Sequence, residues 1–151
     1  MTAKKMKILV PLEFTEKPDE IIERARSVAK KYEADIFTLH VIEDMPRISF
    51  YSDAYQLWEE FRDRAVKETM EEMNTYIKEL SNTYGTIEPI IEVGNTCDKI
   101  LEVAERLDID LIIIGHHVRR GVLKHMVHNN VAEKIVRLSV RPVLTFNIDT
   151  A

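Results

Sequence analysis

Cysteine, glycine and proline are all scarce in this chain, and each scarcity narrows what the protein can be. The one cysteine, Cys97, leaves no internal disulfide and no cysteine-rich zinc site, which fits a reducing cytosol. Four glycines and five prolines in 151 residues exclude collagenous and low-complexity chains. No apolar run approaches the ~20 residues of a membrane span. The run from Ile8 to Leu12 behind Lys4, Lys5 and Lys7 is too short for a secretory signal, so the chain reads as soluble and cytoplasmic. Positive charge is not in excess either. The 21 Lys and Arg stand against 26 Asp and Glu, a net charge of -5, and nothing global recommends nucleic acid or an anionic membrane as a partner. There is also no P-loop, no dinucleotide-binding glycine fingerprint after the first strand and no Gly-x-Ser-x-Gly elbow.

What remains is a chain with 45% hydrophobic and 31% charged residues, long enough for one globular domain over 1–151. Met6 to Leu12 reads as a buried strand. Pro18 suits a first helical turn, and Ile21/Ile22, Ala25, Val28/Ala29 and Tyr32 follow at helical spacing. Asp35 to Ile42 is a second strand, and 43–52, with Phe50 and Tyr51, a loop placed to cover a pocket. Trp58, Phe61, Ala65, Met70, Met73, Ile77, Leu80 and Tyr84 then keep a helical stripe through a charged run over 53–84. Met70 and Met73 fit core packing better than a cofactor groove, and Gly85 stops the helix. Thr86 to Val93 is a third strand. Gly94, Asn95 and Thr96 turn and cap a helix through Ile100, Leu101, Ala104 and Leu107. Leu111 to Ile114, apolar without alternation, is a strand covered on both faces. Gly115 to His128 reads as a connection, Asn130-Val131-Ala132-Glu133 as a capping box before a short helix, and Val143 to Ile148 as the last strand. Strand and helix alternate throughout, which predicts a doubly wound α/β domain with about five parallel strands.

In such sheets ligands bind beyond the carboxyl ends of strands where the strand order reverses. The first and fourth strands, ending at Glu13 and Gly115, are the candidates. The connection after Gly115 carries Arg119, Arg120 and Lys124, four of the five histidines and no acid, the local electrostatics of an anion site in an acidic chain, or else of a solvated basic loop. His116, His117, His125 and His128 lack an accompanying carboxylate or thiol, so metal is a poor reading. Glu13, Thr15 and Glu16 either offer a carboxylate to a ribose or base or are solvated loop acids. His40 reads as a satisfied strand histidine, and Cys97 has no histidine base placed beside it.

The sequence resembles the universal stress protein family over nearly its whole length. The resemblance rests on Ile8-Leu9-Val10-Pro11-Leu12-Glu13-Phe14-Thr15-Glu16, on Leu39-His40-Val41-Ile42, and most strongly on Ile109-Asp110-Leu111-Ile112-Ile113-Ile114-Gly115-His116-His117. It continues through Asn130-Val131-Ala132-Glu133-Lys134-Ile135-Val136 to Arg141-Pro142-Val143-Leu144. It implies an adenine-nucleotide alpha hydrolase-like fold with strand order 3-2-1-4-5. It also implies a nucleotide site built from Pro11, Leu12, Glu13, Val41, Ile114, Gly115, Val118, Arg119, Asn129, Asn130 and Val131. In nucleotide-binding members the phosphates rest on Gly-x-x-Gly, nine residues, then Gly-Ser/Thr. Gly115 matches the first glycine, but Val118 stands at the second, Asn129 and Asn130 stand for Gly and Ser/Thr, and Glu13 replaces the usual Asp.

Two expectations follow from that resemblance. In one, the nucleotide site is degenerate and the protein is a non-enzymatic interaction module, a homodimer through Val143, Leu144, Thr145 and Phe146. In the other, Arg119, Arg120 or Lys124 replaces the lost glycine amides and ATP or AMP still binds. The loss of two of the three glycines favours the first.

Overall fold

The structure, a computed structural model, describes residues 4–13, 18–44, 53–80, 86–118 and 131–149. Five strands, β1 (Lys7–Pro11), β2 (Asp35–Ile42), β3 (Ile87–Val93), β4 (Leu111–Val118) and β5 (Val143–Asp149), form one parallel sheet in the order β3-β2-β1-β4-β5. Between them run α1 (Pro18–Tyr32), α2 (Asp53–Leu80), α3 (Thr96–Arg106) and α4 (Val131–Leu138). Strand order and fold class are those expected.

Period-two alternation divides the sheet between two cores. Ile8, Val10, Ile36, Ile113 and Ile148 pack on one side against Ile21, Ile22, Ala25 and Ala29 of α1 and Ile77 of α2. Leu9, Leu39, Ile112 and Ile114 pack on the other against Ile100, Val103 and Ala104 of α3 and Ala132 and Ile135 of α4. Ile8, Leu9 and Val10 have no exposed surface, so β1 is the centre of the molecule. Consecutive apolar residues were needed there because both faces of the strand are covered.

Two expectations change in detail, and a third is followed only as far as Leu80. β4 does not stop at Ile114: it runs on to Val118, and Gly115, His116, His117 and Val118 pair in register with Phe146, Asn147, Ile148 and Asp149 of β5. The apolar signal ends at Ile114, but the ladder to β5 keeps the backbone extended. α2 is helical over Asp53–Leu80, and Tyr84 and Gly85 lie outside the described residues. Met73 is fully buried as read, but Phe61 is 61% exposed and Trp58 only half-buried, so the front of the helical stripe is not core.

Candidate functional site

The site begins where two strands part. β1 pairs with β4 at Ile8–Leu111 and Leu9–Ile112. Beyond these, β1 stays with β2 through Pro11–Leu39, and the Leu12 amide donates to the Leu39 carbonyl at 2.7 Å. β4 stays with β5 as far as Val118–Asp149. The carboxyl ends of the two central strands therefore belong to different halves of the sheet, and a crevice opens between them at the reversal of strand order.

Alternation then sorts the residues singled out by sequence. Val41, Ile114 and Val131 all join the core on the α3/α4 side, where Cys97 also packs. Pro11 shares the Leu9 face of β1, and Glu13 is exposed beyond it. Leu12 and Gly115 turn the other way: Leu12 is buried in the α1/α2 core. Arg119, Arg120, Lys124, Asn129 and Asn130 lie outside the described residues, as does the 43–52 loop beyond Asp44.

Two glycines have different jobs. Gly94 follows β3 with φ +148°, where an L side chain is strained, and its amide closes onto the Ile42 carbonyl at 2.9 Å. Gly115 is a packing glycine: a Cβ there would lie 2.3 Å from Ile148 Cδ1 and 3.4 Å from Ile21 Cδ1. Its missing side chain lets β5 and α1 close on β4.

Several side chains organise the β1/β2 side of the crevice. His40 Nδ1 donates to the Leu12 carbonyl at 2.9 Å, which fixes that proton on Nδ1 and ties the turn after β1 to β2. Past the end of β2, Glu43 accepts from the Thr96 hydroxyl at 3.3 Å, and the Trp58 indole donates to Asp44 at 3.0 Å. Asn95 caps α3, its side-chain oxygen accepting from the Asp98 amide at 3.1 Å. Asn95 and His40 were legible as a cap and a satisfied histidine. The roles of Glu43, Asp44 and Trp58 carry no sequence signal, because each depends on where α2 and α3 lie in space. Burial pushes the Cys97 thiol up, so it stays protonated and is a poor nucleophile at neutral pH. Among the described residues no cluster of His, Cys, Asp and Glu could hold a metal ion, and no helix is long and apolar enough to cross a membrane.

A five-stranded parallel sheet in 3-2-1-4-5 order, with helices on both faces and a crevice between its two central strands, defines a doubly wound α/β domain of the nucleotide-binding-like class. The chain belongs to the universal stress protein family, whose model matches residues 5–147. It is 25% identical to a universal stress protein of Methanocaldococcus jannaschii, over 91% of this chain and 92% of that one. Among solved structures it superposes on UspA of Lactobacillus plantarum with a TM-score of 0.75 at 19% identity, covering 96% of this chain and 99% of the other. It is also similar to a universal stress protein of Archaeoglobus fulgidus in complex with dAMP, with a TM-score of 0.63 at 16% identity over 93% and 96% of the two chains.

Proposed function

We propose that residues 1–151 act as one cytoplasmic universal stress protein domain whose adenine-nucleotide site is weakened, and that it works as a homodimeric interaction module rather than an enzyme. The extension of β4 through Val118 carries this reading. In the nucleotide-binding pattern the stretch starting at Gly115 presents backbone amides to phosphate. Here it is paired with β5, so alternate amides face the ladder and not the crevice. The retained Gly115 is accounted for by the approach of Ile148 and Ile21, so its presence is not evidence of phosphate binding.

The dAMP complex of the Archaeoglobus fulgidus protein supports the competing reading, in which this crevice also takes an adenine nucleotide, ATP or AMP. Pro11, Glu13, Val41, Ile114 and Val131 would then line the nucleoside half. Extraction of freshly purified protein followed by chromatography separates the two. We expect no stoichiometric nucleotide and a Kd for ATP or AMP weaker than about 100 μM. Restoring the family pattern with Val118→Gly, Asn129→Gly and Asn130→Ser should then tighten binding about tenfold or more, equivalent to about 1.4 kcal/mol. Nucleotide co-purifying in a 1:1 ratio with the unaltered protein would overturn the weakened-site reading.

The dimer reading rests on β5 as an edge strand. Leu144 is 42% exposed, Thr145 and Asn147 are exposed, and Val140 nearby is 98% exposed. An apolar edge of this kind calls for cover. Light scattering should give the dimer mass at tens of micromolar, and Leu144→Glu should give the monomer.

A further inference from the structure

Among the described residues one face of α2 is left over by the core. Leu57, Phe61, Arg64, Glu68, Glu72, Thr75 and Glu79 succeed one another at three- and four-residue steps, so they form one line along the helix, and every one is exposed. The helix meets the core through a different face, the one carrying Met73 and Ile77. The line spans about 33 Å at ~1.5 Å per residue, and its two halves differ. Leu57 and Phe61, 66% and 61% exposed, make an apolar patch on the first turns. Beyond Arg64 the same line turns acidic, and Glu68, Glu71, Glu72, Thr75, Tyr76 and Glu79 line an open cleft of about 460 Å³. Tyr76 donates to Asp19, and Thr75 donates to the Glu71 carbonyl at 2.9 Å, so both hydroxyl protons are already placed.

The order of apolar then acidic residues selects the occupant. A second copy laid antiparallel along the full line would set Leu57 and Phe61 against the glutamates, and a parallel copy would set glutamate against glutamate. Nucleic acid and anionic lipid are repelled by the acidic half. We propose that this face of α2 docks an amphipathic, Lys- or Arg-rich helical segment of a different protein, whose apolar side chains cover Leu57 and Phe61 and whose cations meet Glu68, Glu72 and Glu79. The surface does not include β5, and it adjoins the crevice at Phe61, whose ring centroid lies 5.9 Å from that of Trp58, the donor to Asp44.

The probe is a fluorescein-labelled helical peptide of about 22 residues, with leucines on two successive turns and lysines on the same face beyond them, and a scramble of it as control. Anisotropy should show the peptide binding about tenfold or more tighter than the scramble. Leu57→Ser with Phe61→Ser should weaken binding about tenfold. Glu68→Gln with Glu72→Gln and Glu79→Gln should weaken it similarly and flatten its dependence on salt. Glu88→Gln with Glu105→Gln, exposed acids elsewhere, should change nothing. Equal binding of peptide and scramble, or an equal loss in the Glu88/Glu105 variant, would overturn the proposal. A fall in the protein's own sedimentation mass on Leu57→Ser with Phe61→Ser would overturn it in favour of a second copy as the occupant.

Discussion

The two walls of the crevice are finished by different means. On the β1/β2 side the backbone pairing, which reaches the Leu12–Leu39 bond, is supplemented by side chains: His40 grips the Leu12 carbonyl, and Thr96 and Trp58 hold Glu43 and Asp44. On the β4 side the wall is held by backbone pairing with β5 and by the space left at Gly115. The first arrangement leaves a carboxylate, Glu13, exposed at its tip. The second uses for packing the one glycine, Gly115, that matches the family pattern. A glycine that matches a family's ligand-binding pattern can thus be kept by the fold alone, and only its neighbours in space reveal which demand it meets.

The largest expected effect tests that point. Gly115→Val should cost about 3 kcal/mol, because Ile148 is fully buried and its Cδ1 has little room to retreat. Gly115→Ala should cost about 1–2 kcal/mol, and Ile148→Val about 1 kcal/mol alone. If packing is the reason for the glycine, the pair Gly115→Ala with Ile148→Val should lose less stability in urea melts than the two single losses added together, because the shorter side chain removes the nearest contact. Simple additivity would break the comparison and return Gly115 to a role in the crevice.

The sheet was legible because β1 and β4 announce themselves as apolar runs without alternation, and parallel order follows from helices between every pair of strands. That both faces of the sheet are covered reads also from Asp35–Ile42, where Ile36, Phe37, Leu39, Val41 and Ile42 make a nearly continuous apolar segment. What was not legible depends on distant residues. Helical spacing places Trp58 and Phe61 on one side of α2 but cannot say whether sheet lies beneath them, and it does not. His116 and His117 give no strand signal, since their extension is imposed by β5 about 30 residues later in the chain. Pro11, Val41, Ile114 and Val131 were singled out because they repeat a family pattern. Their separation from Leu12 and Gly115 by the plane of the sheet needed the register.

A smaller effect sharpens the β1/β2 side. His40→Leu should cost about 1–2 kcal/mol by leaving the Leu12 carbonyl without its donor, while the sheet order is kept. The same comparison can be turned to advantage at Thr38, two residues before His40 and on the same face of β2. Its side chain has no exposed surface and its hydroxyl has no hydrogen-bond partner among the described residues. Thr38→Val keeps the shape and removes the unsatisfied group, so it should raise stability by about 1 kcal/mol in the same melts. A loss instead would mean the hydroxyl is bound in solution.

The smallest effect concerns the opposite, amino edge of the sheet, where no candidate site residue lies. There Asp35 accepts from Lys5 at 2.6 Å and from the Thr86 hydroxyl at 2.7 Å, and the Lys5 ammonium foremost holds its carboxyl below the usual carboxylate range. A carboxyl depressed in the folded state binds fewer protons folded than unfolded, so its contribution is fully present above the unfolded value of about 3.9 and is lost as pH falls below it. The partners are partly solvated, which keeps the contribution under about 1 kcal/mol. Asp35→Asn should therefore lower stability slightly at pH 7 and make the melting temperature less sensitive to pH between about 5 and 3. Because this edge is remote from the crevice, the same variant should leave any nucleotide affinity unchanged. A shift in affinity would mean that the two ends of the sheet communicate, and that the walls of the crevice are less independently held than their separate bonding implies.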